Sequence, residues 1–205
     1  MENKELLRSE YSQSISYNDY RKLIDDLLQQ NLTTGDNNSP DMLEYARMNV
    51  QRMNRWDKSY EPSDELVALA KEYKRKEIWL VLAEGWCGDA AQNIPLIKKI
   101  ADLNENIEIR FLLRDQHLDL MDQYLTNGGR SIPKLIRIDA ETFEELGTWG
   151  PRPVQLQEKV VHLKNEIGMP KEEMAIEIHL WYAKNKGAAL EQEFKSMLEP
   201  SVKIY

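Results

Sequence analysis

Residues 78–90 read IWLVLAEGWCGDA. Ile78 to Ala83 is a short unbroken apolar run, the pattern of a strand covered on both faces. Glu84 to Asp89 interrupts it, and from Ala90 to Leu103 the spacing of Ile94, Leu96, Ile97 and Ile100 is that of a helix. Trp86-Cys87-Gly88-Asp89-Ala90 therefore falls at a strand-to-helix junction. A thiol there meets unpaired backbone N–H groups and the positive end of the helix dipole, and both favour the thiolate. The thiolate is the nucleophile of disulfide exchange. Asp89 pulls the other way, because its charge opposes ionisation of the neighbouring thiol.

The strand–helix pattern continues downstream. Ile107–Leu113 (IEIRFLL) reads as a second strand, Asp115–Thr126 as a helix ended by Asn127-Gly128-Gly129, and Lys134–Asp139 as a third strand. Glu145–Trp149 reads as a fourth strand. Each strand–helix–strand crossover is expected to pair its strands in parallel, and the tight Asp139-Ala140-Glu141 turn suggests an antiparallel pair. Lys171–Leu198 carries Met174, Ile178, Trp181, Tyr182, Leu190, Phe194 and Leu198 on a helical period, with Gly187 placed to break it.

Upstream the chain reads helical. Tyr20, Leu23, Ile24, Leu27 and Leu28 line one face of a helix that ends in the turn cluster 32–40 (LTTGDNNSP). Ser39-Pro40 opens a second helix, with Ser39 as N-cap and Pro40 at the first helical position, and Ser63 caps a third. Residues 1–75 are read as a helical N-terminal extension packed on the core formed by residues 76–205.

Composition bounds the function. The 205 residues are 41% hydrophobic and 30% charged, enough to bury a core. The net charge is −8, spread as −3 over residues 1–75 and −5 over the rest. A spread acidic balance argues against nucleic-acid binding, which rests on neutralising phosphate. No apolar run reaches the roughly 18 residues of a membrane span, and Met1–Glu10 lacks the apolar stretch of a secretory signal. No membrane association and a cytoplasmic, reducing location are the expectation. Cys87 is the single cysteine, so no internal disulfide forms. His117, His162 and His179 have no close second ligand, and no metal site is expected. No Gly-x-Ser-x-Gly elbow is present.

A second segment bears on Cys87. Ser131-Ile132-Pro133 precedes the third strand, where the proline allows a cis bond that would leave the main chain of Ile132 open to an extended peptide added as a strand. With it stand Gly85-Trp86-Cys87-Gly88-Asp89, Asn93-Ile94-Pro95, Gly128-Gly129-Arg130-Ser131-Ile132-Pro133 and Trp149-Gly150-Pro151-Arg152-Pro153. In this order the strings resemble the thioredoxin superfamily over roughly Lys76 to Glu166, and a bacterial branch of it with a helical N-terminal extension.

The resemblance implies a three-layer α/β sandwich with a mixed central sheet. It also implies that Cys87 is the attacking thiol, that Trp86 packs beside it, that Ile132-Pro133 is the cis-proline substrate platform, and that Pro95 kinks the active-site helix. Gly88 and Asp89 complete the expected substrate-binding set. Two departures change the chemistry. Ala90 stands where the pattern has its second cysteine, so no thiol in the chain can resolve a mixed disulfide. No acidic residue lies within Ile78–Ala83, where dithiol members bury one, although Glu84 is near.

The expected activity is thiol–disulfide exchange by a monothiol route, with a protein disulfide or a low-molecular-weight thiol as partner and no cofactor beyond that external thiol. The alternative is a redox-inactive module that holds an extended partner segment at the cis-proline groove. A dimer joined through Cys87 is a third reading. Arg130 is a candidate for gripping a carboxylate such as that of glutathione, although a solvated surface role is the simpler reading. Arg152 is expected to bridge to the N-terminal extension or to face a ligand.

Overall fold

A computed structural model describes residues 2–199. Nine α-helices and four strands follow in chain order among these residues: α1 (Glu2–Gln13), α2 (Tyr17–Gln29), α3 (Pro40–Ser59), α4 (Asp64–Glu72), β1 (Glu77–Ala83), α5 (Gly88–Ala101), β2 (Ile107–Leu113), α6 (Leu118–Met121), β3 (Lys134–Asp139), β4 (Glu145–Trp149), α7 (Val154–Asn165), α8 (Lys171–Asn185) and α9 (Ala188–Leu198). The starts of α2, α3 and α4 are set by Ser16, Ser39 and Ser63, whose hydroxyls accept from the backbone N–H of Asp19, Met42 and Leu66. Each such cap contributes about 1 kcal/mol. Lys186 and Gly187 both adopt positive φ and separate α8 from α9, the break expected at Gly187.

The sheet order is β2-β1-β3-β4. β1 pairs in parallel with β2, with Val81 opposite Phe111. Its pairing with β3 is antiparallel, with Leu80 opposite Ile136, and β3–β4 is antiparallel as well. The expectation of a second parallel crossover is therefore wrong. The connection from β2 to β3 holds only a 3₁₀ turn at Arg114–Gln116 and the four-residue α6, not the helix expected over 115–126. So short an element does not carry the chain back along the sheet, and β3 starts at the end of the sheet where β2 finishes.

Every residue of β1 is buried, as its apolar run predicts. One sheet face, with Trp79, Val81, Phe111 and Leu135, packs under α2, α3, α4, α5 and α9 through residues such as Tyr20, Trp56, Leu66, Ile97 and Phe194. The other face, with Ile78, Leu80, Leu82, Ile136 and Ile138, is covered by Leu7 of α1 and by Leu120 and Met121 of α6. The result is a three-layer α/β sandwich with a mixed central sheet, and the helical extension contributes to both outer layers. Beyond Gln13 the chain lays Ile15 along β2, where Ile15 and Phe111 exchange two backbone hydrogen bonds of 2.9 Å and close that edge.

No described helix is long and apolar enough to cross a membrane.

Candidate functional site

The β1–α5 junction and the start of β3 meet at Cys87. Cys87 is the N-cap of α5, and the Ala90 N–H donates to its sulfur at 3.5 Å. The thiol donates to the carbonyl of Ile132 at 3.3 Å, and the Ile132–Pro133 bond is cis. Cys87 is half-buried and Ile132 is buried. The two segments singled out in the sequence are thus in direct contact, through the same main-chain carbonyl that an added strand would use. Gly150 packs closely on the Pro133 side of this contact. A Cβ there would lie 2.2 Å from the Pro133 carbonyl oxygen, and its φ of +109° suits glycine.

Two opposing influences act on the sulfur. Burial, then the Asp89 carboxylate, push the thiol up to about 12, against the lowering by the Ala90 and Asp89 N–H groups and the Arg152 guanidinium. Desolvation outweighs the helix terminus, so at neutral pH Cys87 is held as a thiol.

Asp89 has a structural role that its sequence position does not reveal. Its carboxylate accepts from Tyr182 Oη at 2.7 Å and pairs with Arg152, and both side chains of that pair are largely buried. Asn93 Nδ2 ties the same cluster together, donating to Tyr182 Oη and to the Asp89 carbonyl at 2.8 Å each. Arg152 therefore binds the motif, not the N-terminal extension. Next to it, Gly88 lies beneath the Tyr45 hydroxyl and the His179 ring, which a Cβ at that position would meet at 2.5 and 3.4 Å. His179 and Tyr182 stand three residues apart on α8, so one helix face reaches both Gly88 and Asp89. Nothing local in the sequence points to them, since over ninety residues separate His179 and Tyr182 from Gly88 and Asp89.

Glu84, at the end of β1, is wholly buried. It accepts from the Thr34 hydroxyl and from the Asp115 N–H at 2.9 Å. Burial pushes its carboxyl up to about 7 despite those bonds. Its backbone carbonyl accepts from the Cys87 N–H at 3.1 Å, so it is braced against the motif. Tyr20, fully buried, places its hydroxyl in the field of both Glu84 and Cys87, with no hydrogen-bond partner among the described residues.

Trp86 is half-buried, with the Arg114 guanidinium 4.9 Å from its ring centre. Arg130 forms a bidentate pair with Asp122 at 2.6 and 2.8 Å on the surface. Pro95 lies inside α5. Among the described residues no group of three or more His, Cys, Asp or Glu is arranged to hold a metal ion.

A family model described as thioredoxin matches residues 35–171. No curated protein matches the chain. Two solved structures share the fold. One is a protein of unknown function from Pseudomonas aeruginosa, 17% identical, with a TM-score of 0.55, covering 90% of this chain and 98% of that one. The other is an HIV epitope scaffold, 18% identical, with a TM-score of 0.54, covering 92% of this chain and all of that one.

Proposed function

Because the chain belongs to the thioredoxin family, we propose that it is a single-cysteine member that exchanges disulfides through Cys87. The observation that supports this reading most is the position of the sulfur. It caps α5, belongs to a half-buried residue, and lies 3.3 Å from the carbonyl of Ile132. In the reaction the Cys87 thiolate attacks one sulfur of a disulfide. A Cys87 mixed disulfide forms, the other sulfur leaves as a thiolate, and that thiolate takes up the proton given up by Cys87. Ala90 offers no second thiol, so an external thiol must attack the mixed disulfide to restore Cys87.

The raised thiol pKa does not prevent this chemistry, but it makes it dependent on substrate. The S–H···O=C bond to Ile132 stabilises the neutral thiol. An extended substrate that pairs its own N–H with the Ile132 carbonyl takes the acceptor that the thiol otherwise uses. Trp86, Gly88, Asp89, Ile132 and Pro133 would then flank the bound segment.

The second reading is a redox-silent groove that holds an extended partner segment. The thiol raised to about 12 favours it. A glutathionylated peptide supplied with glutathione separates the two. Catalysed release of the peptide thiol that is lost in Cys87→Ser supports exchange. Peptide binding without release, retained in Cys87→Ser, supports the groove.

A further inference from the structure

α8 meets the motif through a few polar side chains, not through a broad apolar face. Tyr182 is its one fully buried residue, and Ile176 and Leu180 lie exposed on its outer side. Both of its ends are left-handed turns. Gly168, with φ of +67°, stands before the Pro170 cap, and Lys186 and Gly187, with φ of +53° and +88°, follow the last turn. Toward the motif, Tyr182 donates to Asp89, and the His179 ring lies over Gly88. α8 is thus a short helix between two sharp turns, fastened across the first turn of α5.

The fastening at His179 works only when the ring is neutral. Its Nε2 lies 3.2 Å from Nη2 of Arg52 and 3.3 Å from the Tyr45 hydroxyl, both on α3. A guanidinium can only donate, so Nε2 accepts and the ring carries its proton on Nδ1. That Nδ1 is buried and has no hydrogen-bond partner among the described residues, so the closed position already leaves a donor unsatisfied. Arg52 gives Nη1 to Asn49 and also rests Nη2 on Met48, and neither partner offsets its charge. A second proton on His179 would replace the acceptor by a cation at hydrogen-bond distance from the guanidinium. Asp89 of α5 is the carboxylate that favours the imidazolium, but it is engaged by Arg152 and Tyr182. Burial and then Arg52 outweigh it and hold the ring below its ordinary value of 6.5.

We propose that α8 is an acid-sensitive cover for the first turn of α5: neutral His179 latches it to Arg52 above Gly88 and Asp89, and protonation of the ring breaks the latch and lets α8 swing away from the motif. In the open state the imidazole is ordinary, whereas in the closed state it resists the proton. Closure is therefore fully favoured above pH 6.5 and is lost progressively as pH falls below it. Opening uncovers the two residues that follow Cys87. The device holds whether Cys87 exchanges disulfides or only lines a groove.

The test is hydrogen–deuterium exchange of the full chain at pH 7.5 and pH 5, with each amide rate divided by its intrinsic rate at that pH. Amides of α2 serve as the internal reference. In wild type the protection of α8 relative to α2 is expected to fall about tenfold between the two pH values, as one imidazole with an ordinary value near 6.5 in the open state dictates. His179→Gln keeps an acceptor for Arg52 and cannot take up the proton, so its α8 protection is expected to be the same at both pH values. Arg52→Gln removes the opposing cation. It is expected to loosen α8 at pH 7.5 and to shrink the fall, which gives a second reading should His179→Gln not fold. Equal α8 protection at both pH values in wild type would overturn the proposal. So would a fall of wild-type size in either variant.

Discussion

Asp89 is the residue whose role changes most between sequence and structure. As a neighbour of Cys87 it is only an opposing charge. In the fold it is also the acceptor for Tyr182 and Arg152. The two roles make one prediction. Asp89→Asn removes the like charge from the thiol and leaves Arg152 without its counter-charge in a largely buried position. Cys87 is expected to alkylate several-fold faster at pH 8, while stability falls by about 3 kcal/mol. An unchanged alkylation rate would show that Asp89 does not hold the thiol pKa up.

Glu84 supplies the pH-dependent prediction at this scale. Its folded pKa is raised from an ordinary value near 4.5 to about 7, chiefly by burial. Below pH 4.5 the carboxyl is neutral in both the folded and unfolded chains and costs nothing. As pH rises, the unfolded chain ionises first, so stability is lost between about 4.5 and 7, on the order of 3 kcal/mol in all. Glu84→Gln keeps an acceptor for Asp115 and is expected to flatten the stability profile across that window and to exceed wild type at pH 8, read from thermal unfolding at several pH values. Parallel profiles for the two proteins would contradict this account. Cys87, Ile132 and Pro133 could be read from the sequence because each sits in a short string with a local physical meaning. The burial of Glu84 could not, because it depends on Thr34 and on the turn after β2.

At the scale of elements, β1, the start of α5 and the breaks at Ser39, Ser63 and Gly187 were legible from apolar runs, caps and a glycine. The direction of β3 was not. An apolar run looks the same in either direction, and the length of α6 that sets the direction is decided by packing, not by periodicity. α1 also escaped the reading, since a polar, charged segment buries only Leu7 fully. The rim joining β4 to the start of β3 carries its own prediction. Gly150→Ala would place a Cβ 2.2 Å from the Pro133 carbonyl oxygen in a positive-φ conformation. It is expected to destabilise the protein by more than about 2 kcal/mol and to disturb the Ile132 platform. Denaturant unfolding measures this, and a neutral effect would mean the β3–β4 rim does not hold Pro133.

At the scale of the molecule, the helical extension reaches the motif from behind. Asn49 of α3 donates to the Gly85 carbonyl at 3.2 Å, Thr34 accepts from the Gly85 N–H at 3.0 Å, and Trp56 donates to Gln92 of α5 at 2.7 Å. Tyr20, Ile24, Met53 and Trp56 belong to the same apolar cluster as Trp79 and Ile94. Residues 1–75 and 76–205 are therefore expected to unfold together in one transition, seen identically by circular dichroism and tryptophan fluorescence. Two separated transitions would mean that the extension is an independent unit. The central claim is that the lone sulfur, held between the start of α5 and the Ile132 carbonyl, is an exchanging thiol. Its most direct test is the intact mass of the reduced protein after exposure to glutathione disulfide and then to excess glutathione. A single glutathionyl adduct on Cys87, absent in Cys87→Ser and fully removed by the second step, is the predicted result; a protein whose mass never changes would contradict it.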